Sequence, residues 1–247
     1  MYYTQKDLEA MEEKDGFRQR GKEMTRLETF IDAAFGFAIT MLVVSSGEIP
    51  GNYPELILAL KEIPSFIASF FVIMLFWIDH RNWSRRYGLE DRISIYISLL
   101  FVFVLLVYVY PLRLVFSVLF HWLTGGWLPA HFSINSVREF GGLFIIYGIG
   151  VATIAGLIAL LYVRAKSARI RLKLNKIEII KTDADIANYI LLAGTGIVSA
   201  LFAWLIPPNI NLMAGFVYLI LPIAIPLMSN HYKKKIKKMQ ISENRTK

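Results

Sequence analysis

Apolar residues fall into six long runs, about 27–46, 64–83, 93–116, 139–163, 187–206 and 210–229, separated by short charged or turn-rich segments. A membrane-spanning helix needs roughly 20 mostly apolar residues, and each run meets that length. The pattern predicts an all-α membrane protein with six transmembrane helices. Lysine and arginine test the count, because segments on the cytoplasmic side of a membrane collect them. Of the 27 basic residues, 24 fall on one side of such a bundle and 3 on the other. An even number of spans with both termini cytoplasmic preserves that alternation, whereas five or seven spans would break it.

Three regions follow: a cytoplasmic N-terminal segment at 1–24, a six-helix transmembrane domain at 25–230 and a basic cytoplasmic tail at 231–247. Residues 1–24 alternate acids and bases, which suits a short cytoplasmic helix or a mobile arm. They lack an apolar centre, so no cleaved signal peptide is expected. In the connection "GEIPGNYPELILALKEI" (47–63), Pro54 suits the first turn of a short interfacial helix. Trp122, Trp127 and Phe132 in the loop 121–140 suit an aromatic belt, and Ser136 with Glu139 suits a capping box for the fourth span. Gly148, Ala152 and Gly156, spaced four apart, would let a second helix approach closely, while Pro222 and Pro226 should bend the sixth span.

Composition agrees: 55% of residues are hydrophobic, as expected of a polytopic membrane protein. The net charge of +8 is concentrated beside spans, in "RAKSARIRLKLNK" (164–176) and "KKKIKK" (233–238). These clusters are topology signals that also touch anionic lipid headgroups, and they do not indicate a nucleic-acid partner. The absence of cysteine excludes disulfides and thiol chemistry. Neither a phosphate-binding glycine loop nor an HExxH motif occurs, and His80, His121, His131 and His231 sit in four different segments. No cofactor and no enzymatic activity are expected. A secondary transporter would show repeats or polar midplane residues, of which the spans have few.

Candidate chemistry lies in the first run, "TRLETFIDAAFGFAITMLVVSS" (25–46), where Glu28 and Asp32 precede a mostly apolar stretch without charges. A carboxylate at that depth costs about 2.5–3.5 kcal/mol near the bilayer centre and less near the interface. Asp32 either snorkels to the cytoplasmic surface or finds a partner. A second polar cluster, "FWIDHRNWSRR" (76–86), ends the second span at the same depth, so Arg26 or the group around His80 are candidate partners. His80 alone is more often a packing residue than a ligand. Phe37, Thr40, Met41, Val44 and Glu48 share one helical stripe. Such a stripe is usually lipid-facing or packing surface. If several copies of the helix surround an axis, it instead forms hydrophobic rings interrupted by a hydroxyl ring at Thr40, and rings of this kind gate ions by dewetting.

These residues resemble the transmembrane protein 175 family, potassium channels of prokaryotes and of animal endolysosomes. The family mark is an arginine, three residues, then Phe-Ser-Asp at the start of the first helix; here stand Arg26, Phe30, Ile31 and Asp32, followed by "AAFGFAITML". Phe76, Trp77 and His80 resemble the family's FWxxH, with Arg85 and Asp91 beyond it and the run "LLFVFVLLVYVYP" ending at Pro111. The resemblance is motif-level over 26–111. It implies a homotetramer in which the first helices line a potassium-permeable pore, with K+ as the permeant ion and no carbonyl-lined filter. It implies a constriction at Phe37, Met41 and Val44, a pore hydroxyl at Thr40, and a network of Arg26, Phe30, Asp32, Trp77 and His80 that anchors the pore helix. Glu48 is either an outer-mouth acid that concentrates cations or a solvated loop residue. The chain departs from the pattern in having Ile31 for serine, Ser98 for asparagine and the bulkier Phe37 at the ring. Phenylalanine there leaves a second reading open, a non-conducting scaffold or accessory subunit of the same fold; an integral membrane enzyme or transporter is third. A multi-pass protein of the plasma membrane, if prokaryotic, is the expected location.

Overall fold

The computed structural model describes residues 4–45, 49–130, 136–206 and 213–245. Glu48 and, in the aromatic loop, His131 and Phe132 lie outside the described residues. Six helical segments are long and apolar enough to cross a membrane. The first is α2 (Arg26–Val44); the second is α3 (Tyr53–Lys61) running into α4 (Ile63–Tyr87); then follow α5 (Arg92–Leu123), α6 (Val137–Ser167) and α7 (Lys176–Leu205). The sixth comprises α8 (Met213–Phe216), a 3-10 turn (Val217–Ile220) and α9 (Leu221–Arg245). A short helix, α1 (Gln5–Glu9), precedes them.

Local chemistry sets these boundaries. Asn52 caps α3 with Pro54 in its first turn, Asp91 caps α5, Ser136 caps α6 by accepting the Glu139 N–H at 3.3 Å, and Asn175 and Glu178 form a capping box for α7. The 4-residue α8 and the 3-10 turn interrupt the sixth span just before Pro222, while Pro226 lies inside α9. α7 begins about three turns before the apolar run, because its first turns are held by polar contacts instead of lipid.

The core joins Ile31, Phe35, Ala38 and Leu42 of α2 to Ile73, Phe76, Trp83 and Tyr87 of α4, Phe101, Leu105 and Leu112 of α5, and Ile154, Ile158 and Leu161 of α6. α6 and α7 approach closely at Gly148 and Gly196. A Cβ on Gly148 would lie 2.5 Å from the Gly196 carbonyl oxygen, and one on Gly196 would lie 2.6 Å from that of Gly148. Ala152 and Ala200 flank the contact, whereas a Cβ on Gly156 would meet nothing within 4 Å. The expected small-residue seam thus holds at 148 and 152 and ends before 156.

Residues before α2 form more than a helix. Strands β1 (Glu13–Lys14) and β2 (Phe17–Arg18) pair antiparallel, with Glu13 opposite Arg18 and Lys14 opposite Phe17. The turn residues Asp15 and Gly16 both have positive φ, 54° and 68°, as a two-residue hairpin with right-handed strand twist requires. The segment is docked, not a free arm. Phe17 is buried against Tyr87, and Arg20 forks onto Glu178 at 3.0 and 2.9 Å with both side chains fully buried.

The basic linker at 164–181 is therefore the end of α6, a turn and the start of α7, and it carries specific pairs. Asp91 binds Arg164 at 3.1 Å and Arg171 at 3.3 Å, Lys166 binds Asp183 at 2.5 Å, and Arg86 binds Asp185 at 2.7 Å. Burial alone would raise the Asp91 carboxyl. Hydrogen bonds from Arg164 and from the Ser94 N–H, with the charge of Arg164, outweigh it and hold the group below the usual carboxylate range.

Candidate functional site

α2 has two unlike faces. Thr25 and Glu28 start it with a reciprocal capping box at 3.2 Å on both sides, which satisfies two backbone donors and buries Glu28. Ile31, Phe35, Ala38 and Leu42, at steps of three and four, are each at most 2% exposed and pack against α4 and α5. Phe35 meets Phe101 with ring centroids 5.9 Å apart. On the opposite side, Phe30, Phe37 and Val44 are 54%, 57% and 65% exposed, and Ala33, Gly36 and Thr40 are exposed between them. Met41 lies at the margin, half-buried against the core. The Thr40 hydroxyl donates to the Gly36 carbonyl at 3.0 Å, so its oxygen keeps lone pairs directed away from the helix axis.

At the N-terminal end, the partner of Asp32 is neither Arg26 nor His80. The Trp77 indole N–H donates to Asp32 Oδ1 at 2.7 Å. His80 is 2% exposed, bonds through Nε2 to Ser98 Oγ at 3.0 Å, and stacks on Phe101 with centroids 5.6 Å apart and an interplanar angle of 8°. Ser98 is thus the polar partner of His80. Among the described residues no hydrogen bond or ion pair reaches the Arg26 side chain, and Phe30 lies on the uncovered face. The structure thus brings Asp32, Trp77 and His80 together around α4 and leaves Arg26 and Phe30 apart from them. Beside the first group lies a cavity of about 230 Å³ lined by Glu28, Asp32, Trp77, His80, Arg81 and Arg85. Arg81 sits over the Trp77 ring at 5.4 Å, and Arg85 donates to the Gly21 and Lys22 carbonyls, tying the N-terminal segment to α4.

The C-terminal end of α2 has an anchor that sequence reading did not identify. Arg113 of α5 donates to the Leu42 carbonyl at 2.8 Å and to Ser45 Oγ at 2.6 Å, and it forms an ion pair with Glu62. The available signal was that Arg113 is the one charge within the third apolar run. α2 is therefore fixed at both ends and along one face, while the other face is left open along its length. That arrangement presents a polar-interrupted apolar surface to something outside the chain.

The sequence model of the family described as "Endosomal/lysosomal potassium channel TMEM175" matches residues 26–111, which run from the start of α2 to Pro111 in α5. A protein of Marivirga tractuosa named as a potassium channel is 34% identical over 220 residues, which are 85% of this chain and 88% of that one. Among solved structures, a variant of the potassium channel MtTMEM175, in complex with a nanobody–MBP fusion protein, superposes with a TM-score of 0.79 at 29% identity, covering 90% of this chain and 99% of that one. A TMEM175 homologue from Chamaesiphon minutus, described as a lysosomal potassium-selective channel, shares the fold with a TM-score of 0.54 at 21% identity, over 83% and 97% of the two chains. With a matching motif region, a relative similar over most of its length and the same six-span architecture, this integral multi-pass membrane protein belongs to the TMEM175 potassium-channel family.

Proposed function

We propose that the protein is a passive potassium-permeable channel in which four copies of α2 surround a central path. The observation that carries this reading is the two-faced α2 of a family member: one face buried at every core position, the other a stripe of Phe37, Thr40 and Val44 that the chain itself leaves open. Ala33 and Gly36 are small, and the space beside Gly36 is open, so helices of neighbouring copies would be able to approach there. In this arrangement Phe37, Met41 and Val44 form apolar rings at which K+ sheds part of its hydration. Thr40 offers an oxygen between them. Asp32, Trp77 and His80 hold the helix and do not touch the ion; Arg26 and Phe30, on or beside the open face, would act between subunits. Glu48 would draw cations to the outer mouth.

The basic ends of the bundle and both termini face the cytoplasm, with residues 1–24 a cytoplasmic N-terminal segment whose hairpin docks beneath the bundle, residues 25–230 forming the channel domain and residues 231–247 a basic tail. Lys233, Lys234, Lys235, Lys237 and Lys238 lie in the second half of α9, beyond the apolar run, and meet anionic headgroups. The plasma membrane of a prokaryotic cell is the membrane proposed. Permeation of this kind needs no cofactor.

Purified protein in potassium-loaded liposomes tests the reading, with wild type, Phe37→Ala and Phe37→Ile measured for flux. Wild-type flux above that of empty liposomes, changed by either substitution, is the expected result. If no variant exceeds empty liposomes, the channel reading fails. A silent wild type with a conducting Phe37→Ile would mean that the ring is correctly placed but that the natural protein is a non-conducting scaffold. Chemical cross-linking in detergent should yield a four-chain species.

A further inference from the structure

The buried arginine at the outer end of α2 does more than fill a polar gap. Its side chain is 7% exposed, and it stands two residues beyond the region that the family match covers. Leu42 is among the last four residues of α2, whose carbonyls have no partner within the helix. In lipid, water cannot supply one. Here one guanidinium nitrogen of Arg113 donates to both the Leu42 carbonyl and the Ser45 hydroxyl, and the other meets the Glu62 carboxylate. Ser45 Oγ also donates to the Leu42 carbonyl at 2.7 Å, closing the cluster. Glu62, 6% exposed at the junction of α3 and α4, neutralises a charge that would otherwise be costly to bury. A single side chain thus ties the end of α2 to α4 and α5.

Met41 and Val44 lie within one turn of Leu42 and Ser45. One residue of helix rotation is about 100°, enough to carry Val44 off the open face and to turn Met41 away from its margin. We propose that Arg113 is a positioning residue for permeation: by clamping the last turn of α2 it fixes the aperture at Met41 and Val44, and with it the preference for K+ over Na+. This rests on the reading of α2 as the pore helix. The planar fork is what matters, because lysine keeps the charge but cannot hold carbonyl, hydroxyl and carboxylate in one fixed geometry.

The test is the reversal potential under K+/Na+ bi-ionic conditions in proteoliposomes, for wild type, Arg113→Lys, Ser45→Ala and Phe37→Ala, each checked for the oligomeric elution of wild type. Losing one such hydrogen bond should lower the K+/Na+ permeability ratio at least about threefold, more in Arg113→Lys than in Ser45→Ala. An electrostatic role alone would leave Arg113→Lys unchanged. If Phe37→Ala alters flux while Arg113→Lys and Ser45→Ala keep the wild-type ratio, the positioning role is overturned and the pore-helix reading stands. If Phe37→Ala also leaves flux unaltered, the pore-helix reading falls first. Should Arg113→Lys not assemble, Ser45→Ala decides, since it removes one acceptor and no charge.

Discussion

Replacing Trp77 with phenylalanine isolates the contact that answers the puzzle of a carboxylate inside the first apolar run. The substitution keeps most of the apolar ring and deletes the indole donor that lies 2.7 Å from Asp32 Oδ1. A hydrogen bond to a charged group contributes about 1.5–3 kcal/mol to stability. The loss is partly offset, because the adjoining cavity of about 230 Å³ already borders both residues and can admit water to the stranded carboxylate. The lower half of the range then applies, about 2 kcal/mol per chain. For a chain of this length that lowers the apparent Tm by about 4–8 °C. The assay is the loss of the folded species in detergent on heating, followed by size-exclusion chromatography, for Trp77→Phe, Asp32→Asn and the double variant. Because the residues touch, the cycle should be non-additive by at least about 1 kcal/mol. A Trp77→Phe protein melting within about 1 °C of wild type would refute the reasoning, as would additive effects.

Two further predictions concern packing and charge. Gly150 lies under the Tyr108 ring, whose hydroxyl donates to the Tyr147 carbonyl at 2.6 Å, so Gly150→Ala should destabilise by about 1–3 kcal/mol. Gly156→Ala, into open space, should melt within about 1 °C of wild type, and equal effects of the two would refute the close packing of α6 against Tyr108 of α5. For Asp91 the folded carboxyl lies below its ordinary value, so its contribution is complete above about pH 4 and is lost as pH falls through the lowered folded pKa. Melting of wild type and Asp91→Asn across that acid range should therefore converge at the low end, and a constant gap would contradict the ion pairs with Arg164 and Arg171.

The legible part of the candidate site was the stripe on α2, because helical periodicity places Phe37, Thr40 and Val44 on one face whatever surrounds them. Met41 was the exception. It shares the stripe by angle, yet it is half-buried against the core, since the edge of a face is decided by the neighbouring helices. The partner of Asp32 was not legible for a similar reason. Arg26 and His80 were chemically attractive, but burial directs His80 towards Ser98 and Phe101, and the Trp77 indole is the donor left facing the carboxylate. Arg113 and Glu62 lie 51 residues apart in sequence, and nothing in either local pattern connects them. The same holds for Arg20 and Glu178, 158 residues apart, whose pairing turns an expected helix or mobile arm into a docked hairpin.

Sequence by itself determined the six spans, the alternation of basic and base-poor segments between them, the helix cap at Ser136 and the motifs that mark the family, because each rests on a run, a period or a short spacing. Tertiary structure decided which polar groups meet: Asp32 with Trp77, Arg113 with α2's last turn, Arg20 with Glu178. These choices depend on which helices become neighbours and at what depth. In an apolar medium each buried charge must find its partner among the groups that the packing of the spans brings within reach.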